Sequence, residues 1–271
     1  MTNFSILMSL YNKENPISLQ NCFQSIYGQS EKADEVIIVF DGYINNNLLT
    51  VVEKWHSKLN IKIIKLEQNV GLGNALNEGL KYCSNEWIFR MDTDDICLSD
   101  RFEKQINFIK ANPEVVLLGG QVQEFGSDSS VSLGIKRVPV EHKDILRWAQ
   151  KRNPFNHMSV AYRKSVILNV GGYQHHLFME DYNLWLRVLA KGFITHNLAD
   201  TLLYVRAGSE MLGRRRGIHY IVSEFKLANL KIGLGLQSRV QAYFYFILRS
   251  IPRLLPKRLL GIIYSNLRGK H

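Results

Sequence analysis

Short apolar runs alternate with helical patterns over roughly the first ninety residues of the chain. Four of these runs have the length of a β-strand, at residues 4–8, 35–40, 61–66 and 87–91. In 16–26 and 72–80, apolar side chains instead recur every three or four residues, which is the spacing of a helix with one buried face. Strands that alternate with helices in this way predict βαβ units and a parallel sheet.

Polar side chains follow three of the predicted strands at the point where each strand ends. They are Ser9 to Asn12, Asp41, and Asp92 to Asp95. In an open α/β sheet, ligands bind beyond the carboxyl ends of the strands. The sequence therefore predicts that these three groups share a single site.

The pattern changes further along the chain. A predicted helix begins near Asp100, and short strands around 115–125 are followed by helical stretches near 144–149 and 181–190. From about Arg214 the chain becomes basic and rich in aromatic and aliphatic residues. This last part is either an element that binds a membrane surface or an amphipathic helical pair that packs on the main domain.

The composition fits a globular protein with an acidic partner. The chain has 271 residues, of which 46% are hydrophobic and 21% charged, enough for one large domain or one domain with an extension. Its formal net charge is +10, which favours nucleic acid, an anionic membrane surface or a diphosphate-bearing substrate as partner. No RNP or helix-turn-helix signature accompanies the charge, so we expect no nucleic acid.

The cysteines and the N-terminal residues bear on the compartment. Cys22, Cys83 and Cys97 are odd in number and lack the spacing of a zinc site. The N-terminal apolar run has no basic region before it, unlike a signal peptide, and no apolar run has the length of about eighteen residues that a membrane span needs. We therefore expect a cytoplasmic protein.

The acidic group Asp92-x-Asp94-Asp95 is a candidate metal site. Mg²⁺ and Mn²⁺ take oxygen ligands, usually one or two carboxylates together with phosphate oxygens of the substrate. An enzyme that expels a diphosphate needs this arrangement. The alternative is an exposed acidic turn in which an Asp caps a helix.

A second pair of acids, Glu180 and Asp181, begins a helical pattern. Adjacent carboxylates at such a position are not expected to face one pocket together, so one would act as a base while the other braces or caps. Two acids that simply favour a helix N-terminus would explain the pair equally well.

Six motifs in a fixed order resemble the glycosyltransferases of family 2, which have a GT-A fold. The resemblance runs from residue 4 to about residue 206. It is carried by Ser9-x-Tyr11-Asn12, Asp41-Gly42, Asn69-x-Gly71-x-x-x-Ala75-x-Asn77, Arg90-Met91-Asp92-x-Asp94-Asp95, Gly171-Gly172-Tyr173 and Glu180-Asp181-Tyr182-x-Leu184-Trp185-x-Arg187. Tyr204 to Gly208, with Met211 and Arg214 to Gly217, is similar to bacterial O-antigen and exopolysaccharide transferases of the amylovoran type.

This resemblance implies an α/β architecture with a Rossmann-like, nucleotide-binding mixed sheet flanked by helices. Residues 1–212 would form the GT-A domain, in which 1–98 bind the nucleotide sugar and 99–212 bind the acceptor. Residues 213–271 would form a basic, amphipathic helical extension that associates with the membrane or packs on the domain.

The resemblance also implies roles for individual residues. Asp181 would be the catalytic base, and Asp94 and Asp95 would hold Mn²⁺ or Mg²⁺. The donor would be bound by Tyr11, Asn12, Asp41, Asn69, Asn77, Arg90 and Asp92, with Asp41 on the uracil ring and Asp92 near the ribose. The acceptor would be bound by Glu180, Asn156, His157, Trp185, Arg214, Arg215 and Arg216.

The activity so implied is inverting transfer of a hexose, galactose or glucose, from its UDP-sugar. The acceptor would be a sugar on polyprenyl diphosphate, and the product a β-linkage in an O-antigen or exopolysaccharide repeat unit. The enzyme would then work at the cytoplasmic face of the bacterial inner membrane as a peripheral protein. The alternatives are a metal-dependent nucleotidyltransferase that acts on sugar phosphates and an inactive sugar-binding protein.

Overall fold

One mixed sheet runs through the protein. The computed structural model describes residues 2–126, 132–206 and 217–254, and nine strands lie within these ranges. They are β1 (Phe4–Leu10), β2 (Glu35–Phe40), β3 (Ile61–Lys65), β4 (Trp87–Arg90), β5 (Ile96–Cys97), β6 (Val115–Phe125), β7 (Ser132–Lys136), β8 (Ala161–Arg163) and β9 (Ile194–Arg206). The order is β3-β2-β1-β4-β8-β6-β9-β5, and β7 pairs with β6.

The two halves of this sheet differ in strand direction. In the first half, β1 pairs in parallel with both β2 and β4, and β2 pairs in parallel with β3. The predicted strands and their parallel pairing are thereby confirmed. In the second half, β8 is antiparallel to β4 and β6, while β6 and β9 are parallel. Strand β9 and the reversal at β8 had no counterpart among the predicted elements.

Helices cover both faces of the sheet. In the described residues they are α1 (Pro16–Tyr27), α2 (Asn46–His56), α3 (Leu72–Tyr82), α4 (Arg101–Ala111), α5 (His142–Ala149), α6 (Lys164–Asn169), α7 (Glu180–Ala190), α8 (Ile218–Gly233) and α9 (Arg239–Ser250). Helix α1 shows how local sequence sets a boundary. The side chain of Asn15 accepts hydrogen bonds from the amides of Ile17 and Ser18, and Pro16 occupies the first turn.

The core lies on both faces of the sheet because successive side chains of a strand point to opposite sides. Phe4, Ile6 and Met8 of β1 are buried beneath α1, α2 and α4, and Leu7 is buried on the other face with residues of α3 and α7. Both faces are covered by helices, and the carboxyl ends of the parallel strands lie together at one edge of the sheet. This edge carries the polar groups predicted from the sequence.

The C-terminal helical pair packs on the second half of the domain. Helix α8 buries Tyr220 and Leu227 in the same cluster as Trp185 of α7. Glu224 of α8 and Arg249 of α9 form two charge-assisted hydrogen bonds of 2.7 and 2.6 Å between their guanidinium nitrogens and carboxylate oxygens. This bidentate ion pair joins the two helices.

The outward face of α9 is apolar. An exposed stripe at helical spacing comprises Val240, Phe244, Ile247, Leu248 and Ile251. One alternative from the sequence was an amphipathic helical pair that packs on the domain, which would leave a charged, solvated outer face. In the described residues the outer face of α9 is instead hydrophobic. No helix among residues 2–126, 132–206 and 217–254 is long and apolar enough to cross a membrane.

Candidate active site

The ends of β1 and β2 present the residues predicted to contact the nucleoside. Tyr11 is 44% exposed, and Asn12 is tied to the loop before α2 because its Oδ1 accepts hydrogen bonds from Asn45 N (2.9 Å) and Asn45 Nδ2 (3.0 Å). Asn45 in turn caps α2. The structure thus places Tyr11 and Asn12 at the edge of the sheet; their contact with a nucleoside stays a prediction.

Asp41 holds the segment that leads into α3. Its Oδ1 accepts from Val70 N at 2.7 Å and its Oδ2 from Gly71 N at 3.1 Å, while Asn69 Nδ2 donates to the Asp41 carbonyl at 3.3 Å. Gly71 has φ +85°, a conformation that favours glycine. Each carboxylate oxygen can accept a further hydrogen bond, so Asp41 can hold this segment and still accept from a base.

Asn77 has an observed partner other than a ligand. Its Oδ1 accepts from Tyr173 N at 2.8 Å, and its Nδ2 donates to Tyr173 O at 2.7 Å. The side chain therefore joins α3 to the segment before α7 across the candidate site. A donor contact by Asn77 stays a prediction, and the observed bonds give it a positioning role.

Three carboxylates gather directly after β4. Single oxygen atoms of Asp92, Asp94 and Asp95 lie within 4.8 Å of one another. The loop that carries them is anchored from α1 and from the turn before it, since Cys22 Sγ donates to the Asp92 carbonyl (3.3 Å) and Thr93 Oγ1 donates to Glu14 Oε2 (2.9 Å). The acids are therefore held close together despite their mutual repulsion.

These carboxylates fit a divalent cation. Asp95 is buried, and its Oδ1 accepts from Arg206 N at 3.2 Å, but its Oδ2 has no hydrogen-bond partner among the described residues. A buried carboxylate oxygen without a donor is costly unless another positive group satisfies it. Burial, followed by the charges of Asp92 and Glu14, raises the pKa of Asp94 to about 6. A cation held by Asp94 and Asp95 would compensate both groups.

Arg90 lies at the end of β4, almost completely buried. Its Nη2 forms an ion pair with Asp92. Its Nε and Nη1 have no hydrogen-bond partner within the part of the chain that the structure describes. The positive charge is also close enough to affect the pKa values of Asp94, Asp181 and His157. Arg90 therefore pairs with the acidic cluster and acts electrostatically on Asp181 as well.

A cavity contains the second pair of acids. It is lined by Leu72, Gly73, His157, Tyr173, Phe178, Glu180 and Asp181. Asp181 accepts from Asn153 Nδ2 and from Tyr182 N, both at 2.7 Å. Burial raises the pKa of Asp181, although these two hydrogen bonds act in the opposite direction. The carboxylate is thus held in one orientation and poised to accept a proton.

Both acids of the pair line this cavity, so the expectation that only one would face it is wrong. The reason is the close approach of α3 to the first turn of α7. At Gly73 an added Cβ would lie 3.3 Å from Tyr173 Cβ and 3.4 Å from Glu180 Cγ, so α3 packs closely against the part of the wall that carries Glu180. Burial also raises the pKa of Glu180.

Of the predicted acceptor residues, Glu180 and His157 line the cavity, and Asn156 and Trp185 are buried near it. His157 Nε2 lies 2.8 Å from the Tyr173 hydroxyl, and burial lowers the pKa of His157 well below its usual value. Asn156 is fully buried and donates to Gly120 O. Trp185 is fully buried too, with its ring centroid 6.0 Å from that of His157. In this structure Asn156 and Trp185 support the wall of the cavity and do not line it.

Several residues of the site were missed by the sequence reasoning. Asn153 and Glu14 stand in loops with no motif around them, and only the fold brings them to Asp181 and Thr93. Tyr173 belonged to a quoted motif, which was the available signal for its place in the cavity. Arg214, Arg215 and Arg216 lie outside the described residues.

Comparison with known proteins places this geometry in a family context. Residues 5–171 match the model of glycosyl transferase family 2. The chain is 46% identical, over 97% of its length and 98% of the relative's, to the amylovoran biosynthesis glycosyltransferase AmsE of Erwinia amylovora. It is 39% identical, over 97% of its length and 95% of the relative's, to the UDP-Gal:alpha-D-GlcNAc-diphosphoundecaprenol beta-1,3-galactosyltransferase of Escherichia coli.

The fold is similar to that of a solved structure. The crystal structure of residues 1–349 of S. aureus TarS in complex with UDP-GlcNAc matches 90% of this chain and 70% of that one. The TM-score is 0.67 at 19% sequence identity, and the chain spans 43% of the longer TarS structure. At this identity the similarity concerns the fold.

Proposed function

The chain belongs to glycosyl transferase family 2, and we propose that it transfers galactose or glucose from a UDP-sugar to a sugar carried on a lipid diphosphate. The motif-based resemblance to this family, including the amylovoran type, is confirmed, and the protein is a glycosyltransferase. The observation that carries the proposal is that Asp181 lines a cavity in a domain that also gathers three carboxylates directly after β4. The name of the Escherichia coli relative supports the donor and acceptor classes.

Each half of the domain has a part in this proposal. Residues 1–98 bind the nucleotide through Tyr11, Asn12 and Asp41, and residues 99–212 bind the acceptor. Asp94 and Asp95 would hold a Mg²⁺ or Mn²⁺ ion, which would supply neutralising charge for the departing diphosphate. The guanidinium of Arg90, paired with Asp92, adds positive charge that also acts on Asp181.

The chemical step follows from the surroundings of Asp181. Its carboxylate accepts the proton of the acceptor hydroxyl, which attacks the anomeric carbon from the face opposite the leaving group. Asn153 and the Tyr182 amide keep the carboxylate oriented. A single displacement inverts the anomeric centre, so an α-linked donor gives a β-linked product.

A panel of nucleotide sugars tests the proposed donor and acceptor. With a synthetic N-acetylglucosaminyl diphosphate lipid as acceptor, we expect UDP release from UDP-galactose or UDP-glucose and at least tenfold less from GDP-mannose, because the base must fit at Asp41. UDP and glycosylated lipid should appear in equal amounts. Release of pyrophosphate instead would favour the nucleotidyltransferase alternative, and UDP release without a lipid product would contradict the proposed acceptor.

The acceptor class also suggests where the enzyme works, at the cytoplasmic face of the bacterial inner membrane. The proposed extension, residues 213–271, contains the exposed apolar stripe of α9. Aromatic and aliphatic side chains can enter the interfacial region of a bilayer, and the formal net charge of +10 favours anionic lipids. We therefore assign the stripe to peripheral binding of an anionic membrane.

Loss of the stripe should weaken membrane binding. Phe244 and Leu248 are 57% and 50% exposed, so replacing both with Ser removes apolar surface at little cost in folding. We expect vesicles rich in phosphatidylglycerol to bind this double variant at least about tenfold less tightly in a sedimentation assay. The matched control is Ile17→Ser with Leu168→Ser, which changes exposed apolar residues on α1 and α6. Equal binding of both double variants would contradict the assignment.

A further inference from the structure

Phe178 lines the cavity that contains Asp181, together with the aliphatic Leu72 and the polar aromatic residues His157 and Tyr173. Phe178 is 41% exposed, whereas Tyr173 is buried. A sugar ring has polar edges and an apolar face of C–H groups, and an aromatic face provides a rigid apolar surface for such a ligand. Phe178 therefore offers the cavity a surface that its carboxylates do not.

The backbone at Phe178 adopts a conformation that bulky residues rarely occupy. Its φ is +67°, in the left-handed region that favours glycine. Such a conformation persists only where the surrounding structure holds it, and it is concentrated at functional sites. Here it lies three residues before Asp181, so the backbone at Phe178 sets the ring next to the proposed base.

Helix α8 holds this conformation. The ring of Phe178 stacks on Tyr220 of α8 with centroids 5.6 Å apart and planes at 22°. Tyr220 is buried in turn beneath Arg253, whose guanidinium carbon lies 4.6 Å from the centroid of the tyrosine ring. Next to it, His176 Nε2 lies 2.9 Å from Ser223 O of α8, and Met179 N donates to His176 O at 2.7 Å.

We propose that Phe178 is the platform on which the acceptor sugar stacks, and that Tyr220 positions this platform from the C-terminal helical pair. The inference rests on the proposed function, because it needs a sugar acceptor in this cavity. One face of Phe178 packs on Tyr220, and Phe178 is a partly exposed residue of the cavity wall. The C-terminal pair thereby determines acceptor binding in addition to covering the core.

The matched substitution at this position is Phe178→Gly. Glycine adopts φ +67° without strain, so this variant removes the ring while it favours the observed backbone conformation. With UDP-galactose and the synthetic N-acetylglucosaminyl diphosphate lipid, we expect the KM for the lipid to rise about tenfold. The affinity for UDP and the KM for UDP-galactose should stay within about twofold of wild type, and Phe178→Tyr should restore the KM for the lipid.

Tyr220 is tested as a positioning residue. Tyr220→Leu keeps an apolar side chain but removes the stacking ring, and we expect it to raise the KM for the lipid about threefold with kcat little changed. Tyr220→Phe keeps the ring and should behave as wild type in this respect. If Tyr220 had only a structural role, the substitution would reduce the amount of folded protein. The apparent kcat and the kcat/KM values for the lipid and for UDP-galactose would then fall by the same factor.

Direct binding separates failure of the platform from failure of the proposed function. Saturation-transfer NMR with UDP present should show contact between wild-type protein and the sugar protons of the lipid probe, and Phe178→Gly should lose it. Wild type that neither binds nor glycosylates this probe contradicts the proposed function and the platform with it. Wild type that binds the probe, beside a Phe178→Gly variant that binds it equally well, overturns the platform alone.

Discussion

Replacement of Asp181 by Asn is expected to lower the rate of transfer by about 10²- to 10⁴-fold, the contribution of a positioned general base. The amide has nearly the shape of the carboxylate and keeps one oxygen that can accept from Asn153 or from the Tyr182 amide. It has no oxygen basic enough to take the hydroxyl proton. Steady-state kinetics with the lipid acceptor measure the loss, and UDP titration should give an unchanged affinity.

Glu180→Gln is the control for this substitution. Glu180 is the neighbouring acid on the same wall of the cavity, and its isosteric amide tests whether any carboxylate there is enough. We expect the loss of activity to be at most about tenfold, because the proposed role of Glu180 is to orient the acceptor and not to accept its proton. A larger loss in Glu180→Gln than in Asp181→Asn would exchange the two roles, and near-wild-type turnover of Asp181→Asn would remove Asp181 from the mechanism.

Replacement of Asp94 by Ala should weaken metal-dependent binding of the donor and lower transfer by about 10³-fold, since neutralisation of a leaving group by a metal is worth several kcal/mol. Asp95→Ala should act in the same direction, because the buried Oδ2 of Asp95 is unsatisfied among the described residues. The affinity for UDP, measured at increasing concentrations of Mn²⁺, shows how strongly donor binding depends on the metal. Chelation of wild type should abolish transfer, and added Mn²⁺ or Mg²⁺ should restore it.

Thermal unfolding separates this effect from loss of the fold. Burial and acidic neighbours raise the pKa of Asp94, so its charge destabilises the metal-free protein near neutral pH. Asp94→Ala should therefore keep or raise the melting temperature without metal while it loses the rise in melting temperature that metal and UDP together produce. Asp144→Ala changes an exposed acid paired with Arg147 and serves as control. Full activity of chelated wild type would contradict the metal assignment.

The half of the fold with parallel strands β1 to β4 could be predicted from local pattern. Runs such as Val36 to Phe40 are apolar throughout because a parallel strand covered by helices is buried on both faces. The helical spacing between these runs predicted that a helix connects each strand to the next, and strands connected in this way are parallel. The same reasoning placed Asp41 and Asp92 at one edge of the sheet, because the carboxyl ends of parallel strands meet there.

The second half of the sheet could not be predicted as fully, because its contacts join residues far apart in the sequence. Strand β9 runs beside β6, from which it is separated by about seventy residues, and its end supplies the Arg206 amide to Asp95. Asn153 approaches Asp181 from a loop without a motif. No local periodicity reports such pairs, since periodicity records only which face of an element is buried.

The sequence by itself determined the alternation of strands and helices, the family, and the types of residue available for chemistry. Tertiary structure alone decided how those residues are used. It engaged Asp41 with the amides of Val70 and Gly71, left an oxygen of Asp95 without a partner among the described residues, and brought Glu180 into the same cavity wall as Asp181. The physical reason is that a hydrogen bond, a desolvated charge or a cavity depends on atoms from several elements, whereas the pattern along one element depends only on its own burial.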